Sequence, residues 1–223
     1  MDRFVTELIM MEGSQYYGGP RGFGVATQND VPMAAKAQVL GQAFLGMQMK
    51  CARCHDAPFH SYNQKDLFNI AAMLNRKPLA VPKTSSVPTV PGRRSRVEVS
   101  LSPGTSVKPD WPFKIDKPIE PISSDSRSQL AAMITHGHDG RFAEVIVNRV
   151  WQRYLGWGLV EPVDDWENAE VSHPQLLKWL AREFILSGYD LKHVARLILN
   201  SHTYQRQVDP AFTVAGEPED RLF

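Results

Sequence analysis

The chain has 223 residues, of which 43% are hydrophobic and 22% are charged. This composition is typical of a folded globular protein and excludes wholesale disorder, and the length allows one or two domains. The 25 basic residues nearly balance the 24 acidic ones, for a net charge of +1. Charge alone therefore excludes a nucleic-acid-binding protein of the strongly basic kind. No apolar run approaches the roughly 20 residues of a membrane-spanning helix.

Residues 1–75 are predicted to form a helical segment with loops. Apolar residues at helical spacing predict a short helix over 4–13, a further helix over 32–47 and an amphipathic helix over 65–74. Between the first two, residues 16–24 contain four glycines and a proline, which predicts a loop.

Residues 76–125 are predicted to be a Pro-rich insert or linker. They hold nine of the sixteen prolines of the chain, too many for a helix. Alternation of polar and apolar residues over 96–101 predicts a strand, and Val81 and Val90 are candidates for the same small sheet.

Residues 126–207 are predicted to form a helical domain, followed by a polar tail over 208–223. Capping residues, terminating glycines and apolar periodicity predict helices over residues 126–135, 140–155, 174–187 and 191–198. The chain as a whole is therefore predicted to be mainly α, bundle-like, with a small β-containing Pro-rich insert.

The two cysteines of the chain, Cys51 and Cys54, lie in the sequence C-A-R-C-H. A C-x-x-C-H motif is typical of c-type haem attachment. Its two thiols can form thioethers with the two vinyl groups of one porphyrin, and the next residue, His55, can bind the iron as the proximal ligand. The motif predicts covalent haem c and an electron-transfer or redox-associated function.

Two other interpretations of the motif stay open. Cys51, Cys54, His55 and His60 supply four side chains of the kinds that bind zinc. A C-x-x-C spacing is also found in redox-active and structural cysteine pairs. With zinc or with a cysteine pair, the chain would be a structural or interaction module. If haem is bound, the iron is five-coordinate or takes a sixth ligand from this set: Met47, Met49, His60, Met73.

Two stretches of the chain resemble known families. Residues 49–74, which contain the C-x-x-C-H motif, resemble the end of the domain of unknown function 1549. Residues 141–205 resemble the domain of unknown function 1553. The second resemblance depends on motifs that occur in this order: N-R-V-W, G-L-V-E-P-x-D-D, S-H-P-x-L-L, D-L-K and S-x-T-Y-Q.

The resemblance implies a large, exported, planctomycete-type bacterial protein that is often associated with a cytochrome c-like domain. It implies no particular reaction, and the sequence does not decide whether the protein is an enzyme. The first twelve residues lack the features of a secretory signal, so we expect the chain to be part of a longer protein or a shortened relative. The expected partners are a redox protein or the remainder of that longer chain. Family members commonly have C-H-x-H-P-F, whereas Ala57 replaces the second histidine here, and His60 is a candidate to take its role.

Other polar residues allow weaker hypotheses. Asp164, Asp165 and His173 are candidates for an acid–base or metal cluster, but a structural pairing of either aspartate with Arg149 is the favoured interpretation. Residues 136–139 (H-G-H-D) have the composition of a small metal site, but a solvated turn is favoured because a metal needs more ligands.

Overall fold

A computed structural model describes residues 1–14, 19–27, 29–87, 92–93, 95–114, 123–136 and 140–206. The predicted tail over 208–223, Val90, and residues 137–139 of the H-G-H-D sequence lie outside the described residues. Among the described residues no helix is long and apolar enough to cross a membrane.

The described part of the chain is mainly α-helical, as the sequence predicted. Its α-helices are α1 (Asp2–Met10), α2 (Arg21–Val25), α3 (Pro32–Leu40), α4 (Gln64–Asn75), α5 (Ser126–Thr135), α6 (Arg141–Leu155), α7 (Pro174–Leu186) and α8 (Leu191–Leu199). A π-helical turn, Gly41–Leu45, follows α3, and a 3₁₀ turn, Cys51–Arg53, contains most of the C-x-x-C-H motif. Strands β1 (Leu79–Ala80) and β2 (Ser106–Val107) form an antiparallel pair.

Helix α4 is the central helix. It begins with a capping box in which the Asn63 side chain accepts from the Asp66 backbone N–H and the Asp66 side chain accepts from the Asn63 backbone N–H. All of its residues from Leu67 to Leu74 are buried, so it is covered on every side. Helices α3 and α5 and both strands pack against it.

The remaining helices complete the same core. Helix α1 packs on α5, and α6 packs on α7, α8 and the π-helical turn. One cluster of buried apolar side chains extends from Val5 in α1 to Ile198 in α8. The segments predicted as 1–75 and 126–207 therefore share one hydrophobic core.

Two predicted elements are wrong. Residues 96–101 form no strand, because their backbone groups bond elsewhere: the Glu98 carbonyl accepts from Asp56, and the Leu101 N–H donates to the Gln64 side chain. The predicted glycine-rich loop contains α2, which Pro20 initiates with its restricted φ and its missing N–H.

Candidate functional site

The C-x-x-C-H motif folds into a tight turn at the protein surface. The Cys54 and His55 N–H groups both donate to the Cys51 carbonyl, at 3.1 and 3.2 Å. The two cysteines are free thiols; Cys51 is exposed and Cys54 is half-buried, with its Sγ 3.8 Å from the Thr84 carbonyl oxygen. Both thiols therefore lie on one turn at or near the surface.

The His55 ring is oriented by the backbone. Its Nδ1 lies 2.8 Å from the Asp56 carbonyl oxygen, which can only accept a hydrogen bond. In the neutral imidazole the proton is therefore on Nδ1, and the lone pair is on Nε2. A histidine whose other nitrogen donates to a carbonyl is the usual arrangement for a metal-binding imidazole.

Asp56 is itself held firmly. Its N–H donates to the Glu98 carbonyl at 2.8 Å, and its Oδ1 accepts from the Gln64 N–H at 2.8 Å and the Ser100 hydroxyl at 2.7 Å. Because Gln64 is fully buried at the start of α4, the carbonyl that orients His55 is fixed to the central helix.

The candidate iron ligands predicted from the sequence differ in accessibility. Met49 and Met73 are buried in the core, whereas Met47 is half-buried. The His60 Nε2 lies 2.8 Å from Asp165 Oδ2, and the ring stacks on Tyr62 with centroids 5.2 Å apart. Met47 and His60 stay predictions as ligands.

The side chains of the motif include the two thiols and the iron-binding nitrogen that haem c attachment requires. Cys51 and Cys54 supply the two thiols and His55 supplies a nitrogen with its lone pair free for iron. Phe59, four residues after His55 in the chain, is 84% exposed and presents an apolar ring at the surface. For zinc, no three His, Cys, Asp or Glu side chains gather into a possible metal site within the described ranges.

A loop of four residues, Asp164 to Glu167, packs against the chain on both sides of the motif; we call it the acidic loop. Asp165 bonds His60, and the Glu167 carboxylate accepts from the Ser61 N–H at 2.9 Å and the Ser61 hydroxyl at 3.3 Å. These contacts join residues that are more than 100 positions apart in the chain.

Tyr62 continues the same set of contacts. It is almost fully buried, and burial, followed by the negative charges of Glu167 and Asp165, raises the pKa of its hydroxyl. Interaction of the hydroxyl with the Glu167 side chain raises the pKa further. Tyr62 is therefore held in its neutral form beside two carboxylates.

The acidic loop also contacts the chain before the motif. Asp164 Oδ2 accepts from the Gln42 side chain at 2.6 Å, and the backbone N–H of Trp166 donates to the Gly46 carbonyl at 2.8 Å. The Trp166 ring lies under the Arg141 guanidinium, 4.4 Å from the ring centroid to Cζ.

Arg149 is joined to the acidic loop through Gln42. Its guanidinium donates to the Gln42 carbonyl at 2.8 Å, and the Gln42 side chain donates to Asp164. Burial lowers the pKa of Arg149, and the charge of Asp164 partly offsets this by raising it. The direct pairing of Asp164 or Asp165 with Arg149 that the sequence predicted is therefore wrong for the described residues, because Gln42 lies between Arg149 and Asp164.

The predicted cluster of Asp164, Asp165 and His173 does not assemble into a metal site among the described residues. His173 is exposed at the start of α7, where its Nδ1 lies 3.2 Å from the Ser172 hydroxyl. The sequence contained both His60 and Asp165, but nothing in their spacing indicated that they meet.

These features define a mainly helical protein in which an acidic loop, distant in sequence, binds the chain before and after the C-x-x-C-H turn. Residues 21–78 match the family described as protein of unknown function DUF1549 (PSCyt2), and residues 126–223 match protein of unknown function DUF1553 (PSD1). Both domains that the motifs predicted are therefore found in this chain. No curated protein and no solved structure matches it. The C-x-x-C-H turn lies in the first match and the acidic loop in the second.

Proposed function

We propose that Cys51, Cys54 and His55 are the attachment site of one haem c. The chain would then be an electron-transfer or redox-associated module of an exported, periplasmic bacterial protein. The observation that carries this proposal is the motif turn itself, which has two free thiols at or near the surface and an adjacent histidine whose Nδ1 is already bonded.

The attachment chemistry is an addition. The S–H of Cys51 and that of Cys54 each add across one vinyl C=C bond, so that sulfur bonds to one carbon and the hydrogen goes to the other. No atom leaves, and no external oxidant is needed once both thiols are reduced. Both cysteines are free thiols in the structure, as this reaction requires.

His55 supplies the proximal nitrogen. Donation from Nδ1 to the Asp56 carbonyl fixes the ring orientation and increases the electron density at Nε2, which makes that nitrogen a better ligand. When bound, haem c supplies a one-electron couple of the iron, and the residues around it set its potential.

The surroundings of the turn also favour a large apolar group. The Phe59 ring is mostly exposed, although an aromatic side chain of this size is usually covered by other apolar groups. A macrocycle that is held by the two thiols and covers this ring would remove apolar surface from water.

The test is maturation in a bacterium that exports the chain, fused to a secretory signal, together with a haem-attachment system. We expect a coloured protein whose haem stain survives a denaturing gel. Cys51→Ser with Cys54→Ser should abolish the stain. His173→Ala, which removes an exposed histidine away from the motif, should retain it. A colourless wild-type protein that contains stoichiometric zinc, or only a reversible disulfide between the two cysteines, would contradict the proposal.

A further inference from the structure

We propose that the acidic loop, Asp164 to Glu167, is the positioning element of the C-x-x-C-H turn. In this role the DUF1553 part of the chain controls the reactivity of a site that lies in the DUF1549 part. The effect on thiol reactivity stands independently of haem, whereas the effect on redox potential rests on the proposed function.

The first step is the link from the acidic loop to the end of the motif. Asp165 and Glu167 together hold His60 and Ser61, and the His60 ring stacks on Tyr62. The Tyr62 carbonyl in turn accepts from the Ala57 N–H at 3.1 Å. This hydrogen bond closes residues 57–62 into a loop.

The second step leads from that closed loop to the functional side chains. Ala57 directly follows Asp56, whose carbonyl orients His55. Fixing residues 57–62 therefore limits the movement of the chain immediately after His55 and Cys54. If the acidic-loop contacts are lost, His60 and Ser61 lose the hydrogen bonds that hold them, so the chain after His55 can move more freely.

The third step is the set of hydrogen bonds from the acidic loop to the chain before the motif. Asp164 bonds the Gln42 side chain, and the Trp166 N–H bonds the Gly46 carbonyl. One four-residue loop thus holds both ends of the segment 47–59, which contains both cysteines. A loop that only filled a gap in the core would not need hydrogen bonds to both flanks.

The charge of Asp165 adds an electrostatic component. Its Oδ2 bonds His60, whereas its Oδ1 is buried and has no hydrogen-bond partner within the described part of the chain. The half-buried negative charge of Asp165 favours the oxidised, more positive state of a bound redox group. Water screens the interaction between this carboxylate and the redox group less than it would at an exposed site. Neutralising Asp165 should therefore raise the midpoint potential of the haem-loaded protein.

The first experiment uses the full chain, expressed without haem and fully reduced, and measures the rate at which a maleimide labels Cys54. We expect Asp165→Ala with Glu167→Ala to increase this rate several-fold, and to change the rate at the already exposed Cys51 much less. Glu170→Ala is the matched control, because it removes an exposed carboxylate three residues after the acidic loop. If the double variant does not fold, Asp165→Asn replaces it.

A general loss of stability must be separated from loss of positioning. Ile198→Ala removes a buried side chain from α8, away from the acidic loop, and should destabilise the protein without increasing the labelling of Cys54. Unchanged Cys54 labelling in the acidic-loop variants, or equal acceleration in Ile198→Ala at matched stability, would overturn the proposal.

The second experiment measures the midpoint potential of the haem-loaded protein. Asp165→Asn should raise it clearly more than Glu170→Gln does, since the Glu170 charge is exposed and screened. A larger shift in Glu170→Gln would overturn the electrostatic part. If no haem is attached at all, the proposed function fails, and the labelling experiment still decides whether the acidic loop positions the turn.

Discussion

Gly46→Ala tests the contact that joins the acidic loop to the chain before the motif. Gly46 ends the π-helical turn with φ +62°, in the left-handed region that glycine favours. A Cβ at this position would lie 2.7 Å from Cδ1 and 2.9 Å from Cγ of the Trp166 ring, well inside van der Waals contact. The ring cannot move away easily, because it is buried and lies under the Arg141 guanidinium.

The expected destabilisation has two parts. The left-handed backbone costs an alanine about 1 to 2 kcal/mol. Overpacking against a buried ring typically adds about 1 to 3 kcal/mol. The free energy of unfolding should therefore fall by about 2 to 5 kcal/mol, measured by urea denaturation followed by circular dichroism.

The matched control is Gly188→Ala. Gly188 has a similar φ of +68°, but a Cβ there would meet nothing within 4 Å. It should show only the backbone cost of about 1 to 2 kcal/mol. Equal destabilisation by the two substitutions would show that an alanine Cβ at position 46 does not clash with the Trp166 ring. It would refute the packing of the acidic loop against this turn.

Three further substitutions probe other buried polar groups. Asn148→Ala removes the donor to the Val160 carbonyl and the acceptor of the Leu159 and Val160 N–H groups, so unfolding should become easier by about 3 kcal/mol, at about 1 kcal/mol per hydrogen bond. Asn69→Ala, which loses one side-chain bond to a carbonyl, should lose about 1 kcal/mol, and equal losses would contradict this account. The raised pKa of Tyr62 means that its hydroxyl stabilises the fold below pH 10, the ordinary tyrosine value, and that this contribution is lost as the pH rises above it. The stability difference between wild type and Tyr62→Phe should therefore shrink in alkali, and a difference that grows there would disprove the assigned burial.

The helices were predictable because their signals are local. Apolar periodicity and terminal residues placed α5 to α8 almost residue by residue, since Asp125 and Asp190 cap them and Gly156 ends one of them. The strand predicted over 96–101 was wrong because alternation describes a half-buried extended chain equally well. Its backbone bonds to Asp56 and Gln64 depend on tertiary structure, which no local pattern reports.

The candidate site was predictable only in part. The C-x-x-C-H spacing indicated the thiols and His55, since adjacent residues in the chain form that turn. The pairing of His60 with Asp165 spans 105 positions and depends on how α6 and the chain after it pack on the π-helical turn. Asp165 was considered only with Arg149 and His173, because nothing in the sequence shows which distant residue a carboxylate will meet.

The most direct test of the central claim is the intact mass of the denatured wild-type protein after export with a haem-attachment system. Two thioether bonds predict a mass higher than that of the polypeptide by one haem, and the same increase in a peptide that contains Cys51 and Cys54. A mass equal to that of the polypeptide alone, in cells where a known c-type cytochrome matures normally, would contradict the assignment of this turn as a haem c site.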